Sequence, residues 1–296
     1  MKLSRRFNYL RVAAGRALLA SVACLSVGAQ ESPSVGGSTQ ASISTQNEAQ
    51  SGNGTQALQK ATQNPVADLI SLPFQNNTNF GIGTNDRTQN VLNIQPVIPS
   101  HLNESWNLIT RIIQPIAWQP NPAESSGGDF GLGDMNPTFF ISPAHPGELI
   151  WGLGPTFILP TATTNSLGQG KWSIGPAFVA LAQPGNWTLG LLINNVWSVA
   201  GSSDRASVNQ MLLQYFINYN LQKGWYVTIQ PIITANWAAA QGSDVWTVPI
   251  GGGVGRIMKV GSQPVNVSAQ AYANVAYPSG ASPWGIRVQF ALLFPR

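Results

Sequence analysis

The sequence predicts an all-β protein: an antiparallel up-and-down transmembrane β-barrel of about twelve strands, preceded by a disordered N-terminal arm. Three observations support this. The last segment alternates between two kinds of residue, tryptophans mark both ends of several segments, and short connections alternate with longer ones. Successive side chains of a strand point to opposite faces, so an alternating segment has one lipophilic and one polar face. This pattern is typical of bacterial outer-membrane barrels.

Residues 1–29 predict a secretory signal peptide. A short apolar run at 17–27 ends in the small residues Val27-Gly28-Ala29, and it follows a basic stretch that contains Lys2, Arg5, Arg6, Arg11 and Arg16. This order of charge, apolar run and small-residue cleavage site is that of a secretory signal. The apolar run is too short to span a bilayer as a helix.

Two other interpretations of this leader stay open. Ser4-Arg5-Arg6-Phe7 resembles a twin-arginine signal, although that route carries folded cargo and an outer-membrane barrel must cross unfolded. Cys24 could accept a lipid anchor, although Ser21 stands where leucine is expected. Cleavage after Ala29 would leave no cysteine in the mature chain, and therefore no disulfide or thiol chemistry.

The composition argues against a nucleic-acid partner. The whole chain has 15 basic and 11 acidic residues, but five of the basic ones lie in the signal, so the mature chain is close to neutral. Charged residues make up only 9% of the chain, against about 25% in soluble domains. Low charge without high overall hydropathy suits a barrel, where lipid-facing and lumen-facing residues alternate.

Two regions follow the signal. Residues 30–64 are rich in Ser, Gln, Asn, Gly and Thr. Such a segment buries too little apolar surface to offset its ordering entropy, so we expect a flexible arm or a plug. Residues 65–296 are the predicted outer-membrane β-barrel, and its candidate strands are 69–82, 88–98, 105–119, 129–142, 148–160, 171–183, 187–200, 207–221, 225–237, 244–259, 263–277 and 283–294.

The connections predict the orientation of the barrel. Short turns such as 183–186 and 222–224 alternate with generally longer loops such as 160–170 and 201–206. Outer-membrane barrels have short periplasmic turns, longer outside loops and an even number of strands. Both ends of the barrel are therefore expected in the periplasm.

Aromatic residues predict the two edges of the membrane. Trp225 and Trp237 lie on one apolar face at opposite ends of a candidate strand. At roughly 3.3 Å per residue they are about 40 Å apart along the strand, or about 30 Å apart along the membrane normal once the strand is tilted. The alternative is that large aromatics fill the core of a soluble sandwich. The predicted girdle comprises Trp187, Trp197, Trp225, Trp237, Trp284 and Phe294.

Two features conflict with this scheme. First, several candidate strands contain a proline. A proline removes a hydrogen-bond donor from the sheet, and a closed barrel has no edge that could accommodate the loss, so we expect bulges at the prolines. Second, strict alternation cannot place both Arg111 and Arg256 in the lumen, which leaves the faces of 105–119 and 244–259 undecided. The prolines within candidate strands are Pro96, Pro115, Pro137, Pro155, Pro176, Pro231 and Pro249.

The polar faces predict the lining of a pore. They carry amides, hydroxyls and few charges, which suggests a narrow, weakly charged path for small neutral or amphipathic solutes. The alternative is an Arg287–Asp134 ion pair that only packs the interior. The predicted pore-lining residues are Asp134, Gln214, Asn218, Tyr226, Gln230, Gln270, Tyr272, Asn274, Arg287 and Gln289.

Several motifs resemble one bacterial family over about residues 64–296. The sequence is similar to the "MetA-pathway of phenol degradation" family of outer-membrane proteins, which is often described as transporters. The resemblance implies a barrel that passes small molecules, with aromatic compounds as the candidate class, and it brings no catalytic residues. The motifs are Leu72-Pro73-Phe74-Gln75-Asn76-Asn77, Leu92-Asn93-Ile94-Gln95-Pro96-Val97-Ile98-Pro99, Phe130-Gly131-Leu132-Gly133-Asp134, Leu159-Pro160-Thr161-Ala162-Thr163 and Leu292-Leu293-Phe294-Pro295.

Three classes of function stay open: a passive channel or facilitator, a non-conducting structural or binding barrel, and an outer-membrane lipid hydrolase. The hydrolase needs a nucleophile and a base, but His101 and His145 both fall in predicted periplasmic turns, and Ser100 is only a sequence neighbour of His101. We expect no enzyme activity, cofactor or metal site. The expected partners are membrane lipids and lipopolysaccharide, the barrel-assembly machinery during biogenesis and a small-molecule solute.

Overall fold

The structure is a computed structural model that describes residues 54–239 and 242–295. It contains one helix, α1 (residues 54–62), two short 3₁₀ turns (Gln222–Gly224 and Gly242–Val245) and fifteen β-strands. The strands are β1 (Leu69–Ile82), β2 (Arg87–Ile94), β3 (Val97–His101), β4 (Trp106–Pro120), β5 (Gly128–Leu132), β6 (Asn136–Pro143), β7 (Leu149–Ile158), β8 (Lys171–Ala182), β9 (Trp187–Gly201), β10 (Asn209–Asn220), β11 (Trp225–Ile229), β12 (Ile232–Asn236), β13 (Trp246–Val260), β14 (Gln263–Ala276) and β15 (Trp284–Pro295).

These strands form a closed antiparallel barrel, which confirms the predicted fold class. β1 pairs with β15 along its length, from Leu69 opposite Pro295 to Phe80 opposite Trp284. The fifteen strands make a barrel of twelve, because β2–β3, β5–β6 and β11–β12 are each one barrel strand with an interruption. No helix in the described part of the chain is long and apolar enough to cross a membrane.

The structure accommodates the prolines in more than one way. Pro96 and Pro231 lie in the interruptions between β2 and β3 and between β11 and β12, where no ladder donor is required. Pro249 adjoins a register shift between β13 and β14. Pro155 lies directly opposite Pro176 in the β7–β8 ladder. Interruptions explain part of the pattern that the sequence analysis assigned to bulges alone.

The two arginines of undecided face lie on opposite sides of the wall. Arg111 faces inward and donates from Nη2 to Gln95 Oε1 at 2.9 Å. Arg256 faces outward, opposite the girdle residue Trp225 in the ladder, and its guanidinium carbon lies 5.2 Å from the centre of the indole ring. The alternation along β4 and β13 is therefore unbroken, because only one of the two arginines belongs to the lumen.

The predicted girdle residues lie on the outer face in two groups. Each leaves 41–45% of its surface exposed to the surroundings of the barrel. Trp187, Trp225 and Phe294 are at the end of the barrel that holds α1. Trp197, Trp237 and Trp284 are at the other end.

The connections define the two ends. At the α1 end the strands are joined by the short segments 102–105, 144–148, 183–186, 221–224 and 261–262. The other end carries the longer loops 121–127, 159–170, 202–208, 237–245 and 277–283, together with the short turn 83–86. Short turns face the periplasm in bacterial barrels. We therefore call the α1 end the periplasmic end and the other the extracellular mouth.

Candidate functional site: a lumen with two unlike walls

One side of the lumen is a polar wall, formed by the inner faces of β11, β14, β15, β1 and β2. Asn266, Ser268, Gln270 and Tyr272 follow one another on the inner face of β14 and are all buried. Their polar atoms are engaged within the wall, since the Tyr226 hydroxyl donates to Asn266 Oδ1 at 2.8 Å and the Tyr272 hydroxyl donates to Gln270 Oε1. The sequence pattern of β14 produces this face directly, because alanines and valines occupy the alternate positions.

A layer of glutamines surrounds a narrow cavity at the periplasmic side of this wall. The cavity has a volume of about 160 Å³, and Arg111 also lines it. Primary amides offer both donors and acceptors, so this layer can hydrogen-bond many polar groups without adding charge. The glutamines that line the cavity are Gln63 at its periplasmic side and Gln75, Gln95, Gln214, Gln230, Gln270 and Gln289 on the strands and at their ends.

Arg287 is the charged group in the middle of the polar wall. Its side chain is 8% exposed and lines a second cavity of about 160 Å³. Nε donates to Asn77 Oδ1 at 3.1 Å, Nη1 donates to the Gln230 carbonyl at 3.0 Å, and the guanidinium lies 5.0 Å from the centre of the Tyr272 ring. All of these partners are neutral.

The opposite side is an apolar wall, formed by the inner faces of β4, β6, β8, β9 and β10. Its residues form one packed cluster, and several are almost completely buried. Burial of this apolar surface stabilises a barrel whose outer face gains little from packing, because that face meets lipid. The cluster comprises Val66, Ile109, Phe140, Ala177, Val179, Leu181, Leu192 and Phe216, with Val97, Ile150 and Leu212 packed against it.

Residues 54–66, which we call the floor, close the periplasmic end of the lumen. Gln59 of α1 is 2% exposed, and its Nε2 donates to the Trp225 carbonyl at 2.9 Å. Gln63 bonds the buried side chain of Asn220 at 2.7 Å. Lys60 donates to the Gln183 carbonyl, and Gln183 donates back to the Lys60 carbonyl.

Val66 ties this floor to the apolar wall. It is 5% exposed and belongs to the same cluster as Phe140 and Val179. Gly152 makes room for it, because a Cβ at that position would lie 3.0 Å from Val66 Cγ1 and 3.3 Å from both Phe140 and Val179. Helix α1 lies within segment 30–64, which was predicted to be an arm or a plug, and Val66 lies just after it.

The lumen widens toward the extracellular mouth. Two cavities of about 520 Å³ and about 500 Å³ lie there and share Thr247 and Ser279 in their linings. Thr247 also lines the cavity of Arg287. The spaces inside the barrel therefore narrow from the mouth toward the glutamine layer.

Loop 159–170 covers one side of the mouth. Its Leu167 and Thr163 pack against Gly131 of β5, whose neighbour Phe130 faces outward and is 71% exposed. From this inner side of β5 the loop reaches β10, where Gln169 Nε2 donates to Gln210 Oε1 at 2.8 Å.

Two charged residues hold this loop. The guanidinium of Arg205 donates to the carbonyls of Asn165, Gly168 and Gln169. The carboxylate of Asp134 accepts from the backbone N–H groups of Ala162, at 3.2 Å, and Gln169, at 2.6 Å.

Asp134 therefore requires a correction. From the sequence, Asp134 was expected in the pore lining, with an ion pair to Arg287 as an alternative. The structure places it between β5 and β6, with its carboxylate committed to loop 159–170. Because Arg287 has only neutral partners, the Arg287–Asp134 pair does not form.

The other predicted pore-lining residues lie on inner faces. They are Gln214, Asn218, Tyr226, Gln230, Gln270, Tyr272, Asn274, Arg287 and Gln289. Gln75 and Gln95 also line the lumen and were not predicted to do so, although both stand within the family motifs, whereas the face of Arg111 had been left undecided. The apolar wall was not predicted either, although Leu212 and Phe216 on an otherwise polar strand face were the available signal.

Neither histidine forms a nucleophile–base pair. His101 Nδ1 lies 2.8 Å from Asn107 Oδ1, and Nε2 lies 3.4 Å from Asp68 Oδ2, so both ring nitrogens face oxygens of other side chains. His145 lies exposed in the turn 144–148. Within residues 54–239 and 242–295, no group of three or more His, Cys, Asp or Glu side chains could hold a metal ion.

The fold and the lumen define the class of this protein as an outer-membrane β-barrel. The chain belongs to the family described as "Putative MetA-pathway of phenol degradation", whose model matches residues 72–290. An outer-membrane channel from Pseudomonas putida F1 has a similar structure, with a TM-score of 0.58 and 16% identity over 76% of this chain and 94% of that chain. This match shows a shared fold.

Two further solved barrels are more distant. Outer-membrane phospholipase A from Escherichia coli matches with a TM-score of 0.40 and 14% identity, over 76% of this chain and 96% of that chain. The toluene transporter TodX from Pseudomonas putida matches with a TM-score of 0.40 and 8% identity, over 79% of this chain and 91% of that chain. No curated protein matches the sequence.

Proposed function

We propose that this protein is an outer-membrane channel or facilitator through which small neutral, amphipathic or aromatic solutes diffuse passively. The observation that carries the proposal is the lumen with two unlike walls. An amphipathic solute could keep its polar group on the glutamine layer while its apolar part faces Leu192 and Phe216, which line the same cavity. The family description and the channel from Pseudomonas putida F1 support the same role.

The floor would then control the path. Residues 61–65 line the periplasmic side of the glutamine cavity, so a solute leaving toward the periplasm meets this segment. Its attachments are a few hydrogen bonds, the contacts of Val66 and the packing of Leu58 and Ala61 on the cluster around Leu293. A hydrogen bond contributes about 0.5–1.5 kcal/mol net, so we propose that the segment acts as a displaceable plug.

The proposal includes the surroundings of the barrel. Export by the predicted signal would deliver the chain to the assembly machinery of the outer membrane. Phospholipid and lipopolysaccharide would then surround the outer face, with the two groups of girdle residues at the membrane edges. No catalytic step is part of the proposal, because both ring nitrogens of His101 already face Asn107 and Asp68.

Planar-bilayer conductance of the refolded mature chain tests the channel and the plug together. We compare the native protein with Gln59→Ala/Gln63→Ala, which removes the buried side-chain hydrogen bonds of the floor. Gln56→Ala is the matched control, because Gln56 donates only an exposed hydrogen bond to Asn186. Discrete steps that become longer or more frequent only in the double variant would support a channel with a plug.

Other outcomes would change the proposal. Equal conductance in all three proteins would retain the channel and remove the plug. Silence from all of them, with the barrel shown to be folded by its heat-modifiable gel mobility, would contradict the channel and favour a non-conducting barrel.

A further inference from the structure

Among the residues that the structure describes, two guanidinium groups and no carboxylate lie in the middle of the barrel interior. Arg111 and Arg287 both line cavities of the lumen. Among the described residues, the acidic side chains lie in turns, in loops or at the mouth. They are Asp68, Asp86, Glu104, Glu124, Asp129, Asp134, Glu148, Asp204 and Asp244.

The acids nearest the lumen are already engaged at its two ends. Asp129 accepts a hydrogen bond from Ser166 and Asp134 accepts two from the backbone of loop 159–170. Asp244 accepts from the Ser279 N–H at the mouth, and Asp68 lies beside His101 at the periplasmic end. The middle of the lumen therefore has an excess of positive charge.

Both arginines have N–H groups that make no hydrogen bond to the described residues. A guanidinium carries five N–H donors. Arg287 uses its donors on Asn77 Oδ1 and the Gln230 carbonyl, and Arg111 uses one on Gln95. Their other donors find no acceptor in the part of the chain that the structure describes.

The two positions lie at different depths along the barrel. Arg287 is opposite Asn77 of β1, whereas Arg111 is opposite Val97, which is itself opposite Ser71 of β1. Ser71 and Asn77 are six residues apart, which is about 20 Å along a strand. The two charges therefore form successive positions along the barrel.

The environment strengthens their attraction for an anion. A positive group in a narrow lumen with low-dielectric walls focuses the field along the path. Arg287 lies on the polar wall, opposite the apolar side chains, whereas Arg111 lies on β4, whose inner face also carries Ile109 of the apolar wall. Arginine and lysine side chains line pores that select anions. Guanidinium groups pair especially well with carboxylates, because two parallel N–H groups match the two oxygens.

We propose that the lumen selects anions, and that Arg287 and Arg111 are two successive binding positions for the carboxylate of a small aromatic or aliphatic acid. The solute would enter at the wide mouth, pass Arg287 and then reach the cavity that Arg111 and the glutamine layer line together above the floor. Its apolar body would lie toward Leu192 and Phe216. This proposal rests on the proposed function: it selects, from the amphipathic and aromatic solutes, those that carry a carboxylate, in place of the neutral ones. Binding itself does not require conduction.

Equilibrium binding to the refolded mature protein in detergent is the first test. The probes are benzoate and benzamide, which have the same ring and differ in charge. Arg287→Gln and Arg111→Gln remove the inner charges, and Arg256→Gln is the matched control on the outer face. We expect benzoate to bind more tightly than benzamide, and each inner variant to weaken benzoate binding by about tenfold or more, while the control leaves it unchanged.

Ion selectivity in planar bilayers is the second measurement. In a potassium chloride gradient, the native channel should show a reversal potential that favours chloride, and the inner double variant should shift it toward cations. Equal binding of benzoate and benzamide, or equal losses in Arg287→Gln and Arg256→Gln, would overturn the proposal. Binding without conductance would contradict only the channel, and conductance with a cation preference and no benzoate binding would contradict only the anion site.

Discussion

The two walls of the lumen face each other across the same barrel but are stabilised in different ways. Side chains of the apolar wall pack against one another, and Ile109, Phe140, Val179 and Leu181 are almost fully buried. Side chains of the polar wall are joined by hydrogen bonds and leave space between them, which becomes the cavities. The difference indicates that stability and solute contact are located in different sectors of the barrel.

This division also explains where the floor is attached. Val66 packs into the apolar wall, whereas Gln59 and Gln63 bond backbone and side-chain groups at the periplasmic end of β10 and β11. Leu58 and Ala61 pack on a smaller cluster around Leu293 below the polar wall. The floor therefore contacts both sectors.

The largest expected effect comes from emptying the apolar wall. Phe140→Ala should lower the free energy of unfolding by about 3–5 kcal/mol, because it removes a buried ring and leaves a cavity. Phe139→Ala is the matched control, because this neighbour points outward toward Phe157 and would be replaced by lipid. Denaturant unfolding of the barrel in lipid vesicles, followed by tryptophan fluorescence, measures both.

Similar losses for Phe139→Ala and Phe140→Ala would contradict the assignment of stability to the inner apolar wall. A loss confined to Phe140→Ala would support it. The two residues are adjacent on β6, so the comparison tests the face alone.

The sequence predicted the strands because alternation with a period of two is a local signal. In β14 the polar and apolar residues separate cleanly, and in β15 they do so except at Ala291 and Leu293, which are apolar residues of the inner face. The interruption at Gln230-Pro231 was visible only as a proline within a candidate strand. Residues within one strand thus carried enough information for the fold.

The same signal could not predict the apolar wall or the floor. Val66 meets Phe140 and Leu192 only after strands that are far apart in sequence have closed into a barrel. Asp134 was assigned to the lumen because its strand was assumed to be continuous, whereas a break there commits it to loop 159–170. The positions of Val66 and Asp134 depend on contacts between segments that are distant in sequence, and the residue pattern of a single strand does not contain this information.

The second prediction tests how tightly the floor fits the apolar wall. Gly152→Leu should displace Val66, because even a Cβ at this position lies only 3.0 Å from it. Overpacking of this kind costs about 1–3 kcal/mol, which exceeds the contribution of a single hydrogen bond of the floor. Limited proteolysis should then cleave segment 54–66 faster while the barrel stays intact.

Gly147→Leu is the control for this experiment. Gly147 lies in the turn 144–148, and a Cβ there would meet nothing within 4 Å. Unchanged cleavage in Gly152→Leu would show that Val66 is not held by the packing we describe. Faster cleavage in both variants would point to a general effect of added bulk near the periplasmic end.

The smallest expected effect on the free energy of unfolding comes from a pair of isosteric substitutions, one in each wall. They exchange valine and threonine in opposite directions and therefore compare the two walls most directly. Val179 of the apolar wall and Thr228 of the polar wall are both fully buried. Val179→Thr places a hydroxyl among apolar side chains and should cost about 1–3 kcal/mol, since burial of an unpaired polar group is unfavourable. Thr228 already has a buried hydroxyl without a hydrogen-bond partner among the described residues.

Thr228→Val should therefore be neutral or stabilising by up to about 1 kcal/mol, because it removes an unsatisfied group and keeps the volume. Unfolding of both variants in lipid vesicles shows whether each exchange raises or lowers the free energy of unfolding. If Thr228→Val destabilised the barrel as much as Val179→Thr, the hydroxyl would have to be paired with water in the native lumen. The polar wall would then be hydrated at Thr228, and the contrast between the walls at this position would be one of hydration as well as packing.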